Sequence, residues 1–183
     1  MSALGASAAL AILLGWVVFA LAGLVLAAPV ALGLGVFSGA VLVALFRDTV
    51  ALGGAVALLA PFGVMLPALA LRHAGMRLGL PMEPFATWEI ALFLLAYTAF
   101  LASAFGVIPL ELYRLGYAPL PVAAMVLAVC AYGFVTGNWF LPLVAVLGQA
   151  FWVLGWGSSN WFDYLLHVLM WPVAVVVLLG RIF

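Results

Sequence analysis

The chain has 183 residues, of which 70% are hydrophobic and 5% are charged, against about 25% charged in a typical soluble domain. Lysine is absent and the formal net charge is zero, which excludes the basic patch that nucleic-acid binding needs. A single cysteine, Cys130, excludes an internal disulfide or thiol pair. The composition predicts an all-α, polytopic integral membrane protein with one transmembrane domain over residues 1–183 and minimal mass outside the bilayer.

Long apolar runs, separated by proline, arginine and Asn-Trp pairs, predict a bundle of seven transmembrane helices, with six as the alternative. The count depends on Pro29, where the first two spans meet almost without a loop. Pro61 and Pro67 are expected to kink the third span. The predicted spans are 6–28, 30–46, 49–71, 88–108, 120–136, 139–156 and 162–180.

The second predicted span contains a GxxxG pattern formed by Gly35 and Gly39. Small residues four apart let two helix backbones approach closely within lipid. The pattern favours packing between helices of this chain over a specific oligomer interface.

The fourth predicted span begins with Glu89, directly after Trp88. An acidic side chain in the first turn suits the helix dipole, and the alternative is a group that faces a solute. In the connector that follows, Glu111 and Arg114 lie three residues apart and are expected to form an exposed ion pair.

The sixth predicted span lies between two copies of one phrase, Asn138-Trp139-Phe140 and Asn160-Trp161-Phe162. Twenty-two helical residues rise about 33 Å, close to the ~30 Å hydrocarbon thickness of a bilayer. The repeat therefore predicts headgroup-level anchors on opposite faces of the membrane. Gln149 lies near the middle of this span, where it either bonds a neighbouring helix or faces a solute cavity.

The seventh predicted span carries Asp163 and His167 four residues apart, on one helix face that Trp171 extends. A carboxylate that orients an imidazole is typical of a proton relay, a cation site or a ligand pocket. The alternative for Asp163 is an acidic N3 residue in a helix capped by Asn160. His167 has no expected capping role and is predicted to point into the bundle or a polar cavity.

Five tryptophans near the end of the chain predict an aromatic wall of the kind that lines ligand pockets. Interfacial belts are the alternative, and they suit Trp139 and Trp161 better than Trp152 and Trp171. The five residues are Trp139, Trp152, Trp156, Trp161 and Trp171.

These features favour a small transport protein, either a channel or the substrate-binding subunit of a transporter, for a small or amphipathic solute. The alternatives are a non-catalytic subunit or assembly factor of a larger respiratory or photosynthetic membrane complex, and an intramembrane lipid-modifying enzyme that uses Asp163, His167, Glu89 or Glu111. The predicted substrate-binding residues are His167, Asp163, Gln149, Glu89, Trp152 and Trp171.

A non-enzymatic role is favoured, since the sequence contains no HExxH, no CxxC and no lysine for a Schiff base. No catalytic or metal-ligating residue is predicted, and no cofactor is indicated. The expected location is the bacterial inner (plasma) membrane, as a multi-pass protein. The expected partners are the lipid bilayer, the solute and either further copies of the chain or other membrane subunits.

Overall fold

The computed structural model describes residues 3–46, 48–59 and 63–183, which are 76% helical and contain no strand. The all-α prediction is confirmed for these residues. The chain divides into two compact units, residues 1–82 and 83–183. The single transmembrane domain over residues 1–183 stays a prediction, and the expected kink at Pro61 lies outside the described residues.

The first unit consists of a long antiparallel helix pair followed by two shorter helices. A five-residue turn, 23–27, joins the first two helices, so Pro29 lies in the first turn of the second one, where proline is tolerated. The helices are α1 (Ala3–Ala22), α2 (Ala28–Phe46), α3 (Val50–Leu59) and α4 (Met65–Arg77).

Glycine permits the close crossing of α1 and α2. A Cβ atom on Gly35 would lie 2.5 Å from the Gly15 carbonyl oxygen, and one on Gly39 would lie 2.3 Å from the Ala11 carbonyl oxygen. Any larger residue at these positions would push the helices apart. The GxxxG pattern therefore packs two helices of the same chain, as predicted.

The second unit has two long helices followed by three shorter ones, with a 3-10 helix in the connector after the first. α5 and α6 are joined through that connector, and α9 packs along α5. The elements are α5 (Thr87–Ala104), the 3-10 helix (Leu112–Tyr117), α6 (Pro119–Thr136), α7 (Phe140–Val153), α8 (Phe162–Leu165) and α9 (Met170–Ile182).

Four helices within the described residues are long and apolar enough to cross a membrane: Gly5–Ala22 within α1, α2, α5 and α6. Each has at least 18 residues, and 18 residues rise about 27 Å. α7 and α9 are apolar but shorter. This indicates a membrane protein with a helical bundle, although four candidate spans are fewer than the seven predicted.

The third predicted span is not one helix, because Gly63 and Val64 form a turn directly before α4, which begins at Met65. Pro67 has no N–H group, and its ring clashes with the carbonyl of the residue four positions earlier, which is Gly63. Gly63 has a φ of +58°, a left-handed conformation that ends regular helix. The first backbone bond of α4 runs from the Ala68 N–H to the Val64 oxygen, at 3.0 Å.

The last predicted span is also interrupted, between Leu165 at the end of α8 and Met170 at the start of α9. Leu166 is extended, with φ −102° and ψ 131°. Pro172 explains the position of the break, because the proline ring excludes a helical carbonyl four residues earlier, at Val168. We call residues 166–169 the interruption.

Candidate functional site

The second Asn-Trp-Phe phrase forms a closed polar turn around Asn160, which is fully buried. Its side-chain oxygen accepts the N–H of Phe162 at 2.9 Å, and its side-chain amide donates to the Tyr113 carbonyl oxygen at 2.8 Å. Its backbone N–H donates to the Ser158 hydroxyl oxygen at 2.9 Å. Satisfying a buried amide in this way fixes the geometry of the turn.

Gly116, in the 3-10 helix, lets the connector lie directly against this turn. Its carbonyl oxygen accepts the N–H of Trp161 at 2.9 Å. A Cβ atom on Gly116 would lie 2.0 Å from the Asn160 side-chain oxygen and 2.7 Å from a ring carbon of Phe162. The site therefore requires a residue without a side chain here.

Asp163 is the charged group of the site, and it is half-buried. Both carboxylate oxygens accept from the Tyr113 hydroxyl at 2.9 Å, and the Ser158 hydroxyl donates to one of them. Burial, and then the bond to Asp163, raise the pKa of the Tyr113 phenol above its usual value, so the phenol stays a proton donor to the carboxylate. The carboxylate binds side chains rather than backbone amides, unlike the N3 residue of a capping box.

His167 lies in the interruption and is 7% exposed. Its ring Nδ1 accepts the N–H of Leu169 at 3.1 Å, and its backbone oxygen accepts the N–H of Met170 at 2.8 Å. The imidazole thus holds the backbone turn just before α9, whose N-cap is Leu169 and has no side-chain cap bond. Asp163 and His167 do not share one continuous helix face, because the backbone between them is extended at Leu166.

Trp161 is a buried residue, 2% exposed, so its ring is covered by protein. The headgroup-level position of its phrase stays a prediction. It packs against Val122 and Val126 of α6 and Ala145 of α7. Its indole N–H is buried and has no hydrogen-bond acceptor among the described residues. By contrast, Trp139 in the first phrase is 64% exposed.

The other predicted tryptophans bind different partners. Trp152 packs in the cluster around Trp161, and its indole N–H donates to the Ser159 carbonyl oxygen at 2.8 Å. The Trp171 indole donates to the Thr98 hydroxyl of α5 at 2.9 Å. Trp156 stacks on Phe151 with ring centroids 4.7 Å apart, beside the backbone bonds that end α7. Trp152 and Trp161 are the members that the structure brings together.

Gln149 is half-buried on α7 and makes no side-chain hydrogen bond within the part of the chain that the structure describes. It directly follows Gly148, where α7 packs against Leu165 of α8. Gln149 therefore lies on the part of α7 that packs against α8, just before the interruption.

Glu89 belongs to a separate part of the second unit. One carboxylate oxygen accepts the N–H of Ala86 at 2.5 Å, as the reverse bond of a capping box, and the other accepts from the Tyr132 hydroxyl. The Asn160 turn contacts α5 near Phe100, whose ring centroid lies 4.8 Å from that of Phe162. Glu89 lies eleven residues earlier, about 17 Å along the helix.

Comparison of the chain with protein families, with curated proteins and with solved structures found no match. The described residues also contain no group of three or more histidine, cysteine or acidic side chains that could hold a metal ion. The site offers a carboxylate bonded to two hydroxyls, a buried imidazole at a helix break and a buried indole donor. Tyr113, Ser158 and Asn160 are members of the site that sequence reasoning did not assign.

Proposed function

We propose that the chain is a small multi-pass transport protein of a bacterial inner (plasma) membrane, which binds a small or amphipathic solute at the interruption between α8 and α9. The observation that carries the proposal is this break in an apolar segment, with His167 buried within it. Non-helical backbone at membrane depth is tolerated where it is covered by protein or lines a cavity. Broken helices with freed backbone groups are a recurrent way to build a transporter site.

The groups around the interruption indicate the chemistry of the solute. Trp161 presents an N–H donor in an apolar cluster without an acceptor among the described residues, and burying such a donor unpaired is unfavourable. A carbonyl or hydroxyl oxygen on the solute would satisfy it. Trp152 and Leu165 supply apolar surface in the same cluster. We propose a solute with one hydrogen-bond acceptor and a short apolar part, such as a small amide or alcohol.

The proposal also extends to topology. Together with the four long helices, three shorter or interrupted segments, α3–α4, α7 and α8–α9, would complete seven spans. The interrupted segments are short for a bilayer of ~30 Å, so the proposal requires non-helical residues to lie within the membrane.

The two alternatives have less support from the described contacts. The GxxxG pattern is already used in the crossing of α1 and α2, so it gives no support to a lateral contact with another subunit. For a lipid-modifying enzyme, Glu111 is bound in an exposed ion pair with Arg114 at 3.2 Å, and Glu89 is distant along α5 from Asp163. Co-purification from native membranes tests the first alternative, which a stable partner complex would favour.

Ligand-induced stabilisation of purified protein tests the proposed site. A ligand at one hundred times its Kd stabilises the folded state by about 2.7 kcal/mol, which a thermal unfolding assay detects. We expect some small amides or alcohols in a panel to raise the Tm of the wild type and not that of Trp161→Phe, which loses the indole donor. Trp139→Phe is the matched control, because Trp139 holds the same place in the other phrase and is exposed. Equal responses of the two variants would refute a role for the Trp161 donor.

A further inference from the structure

The first unit contains an apolar crevice of about 210 Å³, which is open on one side. Its walls come from α1, α2 and α4. This volume exceeds the ~150 Å³ of an engineered apolar cavity that binds benzene, so the crevice has room for part of a chain molecule. Side chains that line it include Trp16, Phe19, Val36, Ala40, Leu71 and Ala74.

One end of the crevice carries a positive charge. On α1, the lining residues Trp16 and Phe19 are followed one turn later by Gly23, whose carbonyl oxygen accepts an N–H of Arg77 at 3.0 Å. On α4, Arg77 follows the lining residue Ala74 by three positions, so the two share a face. The Arg77 side chain is exposed, and a guanidinium has five N–H donors, so the bond to Gly23 leaves others for a ligand.

The charges of the chain are divided unequally between its two units. Residues 1–82 contain three arginines and one acid, Asp48, for a formal charge of +2. Residues 83–183 contain two arginines and four acids, for a formal charge of −2. An anionic ligand is therefore favoured at the first unit on charge as well as on contact.

We propose that the crevice binds an acyl chain of an anionic phospholipid whose phosphate is bound by Arg77. The apolar walls suit a hydrocarbon chain, and α1 and α2 are apolar enough to lie in a bilayer, where acyl chains are the surrounding solvent. A planar guanidinium binds the oxygens of a phosphate through parallel N–H donors. This site lies in residues 1–82 and is independent of the transport site in the second unit.

Native mass spectrometry of the full chain in detergent, titrated with phosphatidylglycerol, tests the proposal. The wild type is expected to bind one lipid in preference to phosphatidylcholine. Arg77→Gln should weaken that binding about fivefold, the effect of one cationic side chain beside an anionic lipid. Arg181→Gln is the matched control, because Arg181 also donates to a backbone oxygen, that of Phe85, but in the second unit. It should bind phosphatidylglycerol as the wild type does.

Two further variants test the crevice itself. Ala40 and Val36 are exposed at its rim, so Ala40→Phe or Val36→Phe should fill it without disturbing a buried contact. We expect either change to abolish binding of the lipid while the Tm of the protein is retained. The proposal is overturned if both variants bind as the wild type does, if Arg77→Gln equals Arg181→Gln, or if glycerol 3-phosphate competes as well as the lipid. The last result would mean a site for free phosphate.

Discussion

At the scale of single residues, Gly116 and Asn160 show how a connector is held against the polar turn. Asn160 is fully buried and uses its side-chain oxygen, its side-chain amide and its backbone N–H. The absence of a side chain at Gly116 allows this approach. The stability of the site should therefore be sensitive to single atoms at these two positions.

We expect Gly116→Ala to lower the free energy of unfolding by about 2 kcal/mol, within the range for overpacking a tight contact. The added Cβ would lie 2.0 Å from the Asn160 side-chain oxygen. Gly53→Ala is the control, because no atom lies within 4 Å of a Cβ there and alanine favours the helix by ~0.5–1 kcal/mol. Thermal unfolding of the purified proteins measures both. A Gly116→Ala protein as stable as the wild type would contradict the described packing.

His167 has a structural role and a proposed binding role, and two substitutions separate them. His167→Ala removes the acceptor for the Leu169 N–H and should cost about 1 kcal/mol, the net contribution of a typical hydrogen bond. His167→Asn supplies another acceptor at the same place and should restore that stability. If the imidazole contacts solute, neither variant should show wild-type stabilisation by the solute.

Asp163→Asn is the comparison for His167, since the amide oxygen of asparagine can still accept from the Tyr113 hydroxyl. Solute binding should therefore fall less than in His167→Ala. Full solute binding by His167→Asn would show that His167 only accepts the Leu169 N–H and does not contact the solute.

At the scale of elements, the interruption between α8 and α9 is the feature on which the proposed function depends. Its sequence cause is Pro172, which acts four residues upstream of its own position. The same rule accounts for the start of α4, where Pro67 is preceded by the left-handed Gly63. In both segments most side chains are apolar, so hydrophobicity alone predicts a continuous span.

Pro172→Ala should let helix extend across residues 166–169. Amides in this segment are expected to exchange with deuterium more slowly, as measured by mass spectrometry, and solute binding should weaken. Pro121→Ala is the control, because Pro121 is likewise the third residue of its helix, while Pro119 still marks the start of α6. Unchanged exchange in Pro172→Ala would mean that contacts other than the proline hold the break open.

The long helices could be predicted from the sequence, and the candidate site could be predicted only in part. Four predicted spans correspond to α1, α2, α5 and α6, because an unbroken apolar run of that length has few other solutions. Asp163 and His167 stand out as polar residues in an apolar segment. Tyr113 does not stand out, because it joins the site through contacts with Asn160 and Asp163, which lie 47 and 50 positions later in the chain. Helical periodicity cannot show contacts at such separations.

The burial of Trp161 could not be predicted from the sequence for a different reason. The preference of tryptophan for the membrane interface is an average, and it describes the exposed Trp139 better than the buried Trp161. What the two Asn-Trp-Phe phrases do share is the asparagine turn. The Asn138 side-chain oxygen accepts the Phe140 N–H at 3.3 Å, as Asn160 does for Phe162. The repeat thus marks two helix starts, with different surroundings for each tryptophan.

At the scale of the whole molecule, the proposed topology requires the two phrases to lie on opposite sides of the membrane. Thr136 and Ser159 are exposed and lie beside the first and second phrase, so each can carry a cysteine in a Cys130→Ala background. We expect a membrane-impermeant thiol reagent to label Thr136→Cys and Ser159→Cys from opposite sides of sealed vesicles. Labelling of both from one side would contradict the crossing of α7.

The central claim is that this chain moves a small solute through a site at the interruption, and flux into proteoliposomes tests it most directly. Purified wild type, His167→Ala and Trp161→Phe would be reconstituted at equal density and assayed with small amides and alcohols such as urea, acetamide and glycerol. The account predicts that the wild type accelerates at least one of these solutes over empty liposomes and that both variants reduce the rate severalfold. A wild type that moves none of them, or variants that move them equally well, would contradict it.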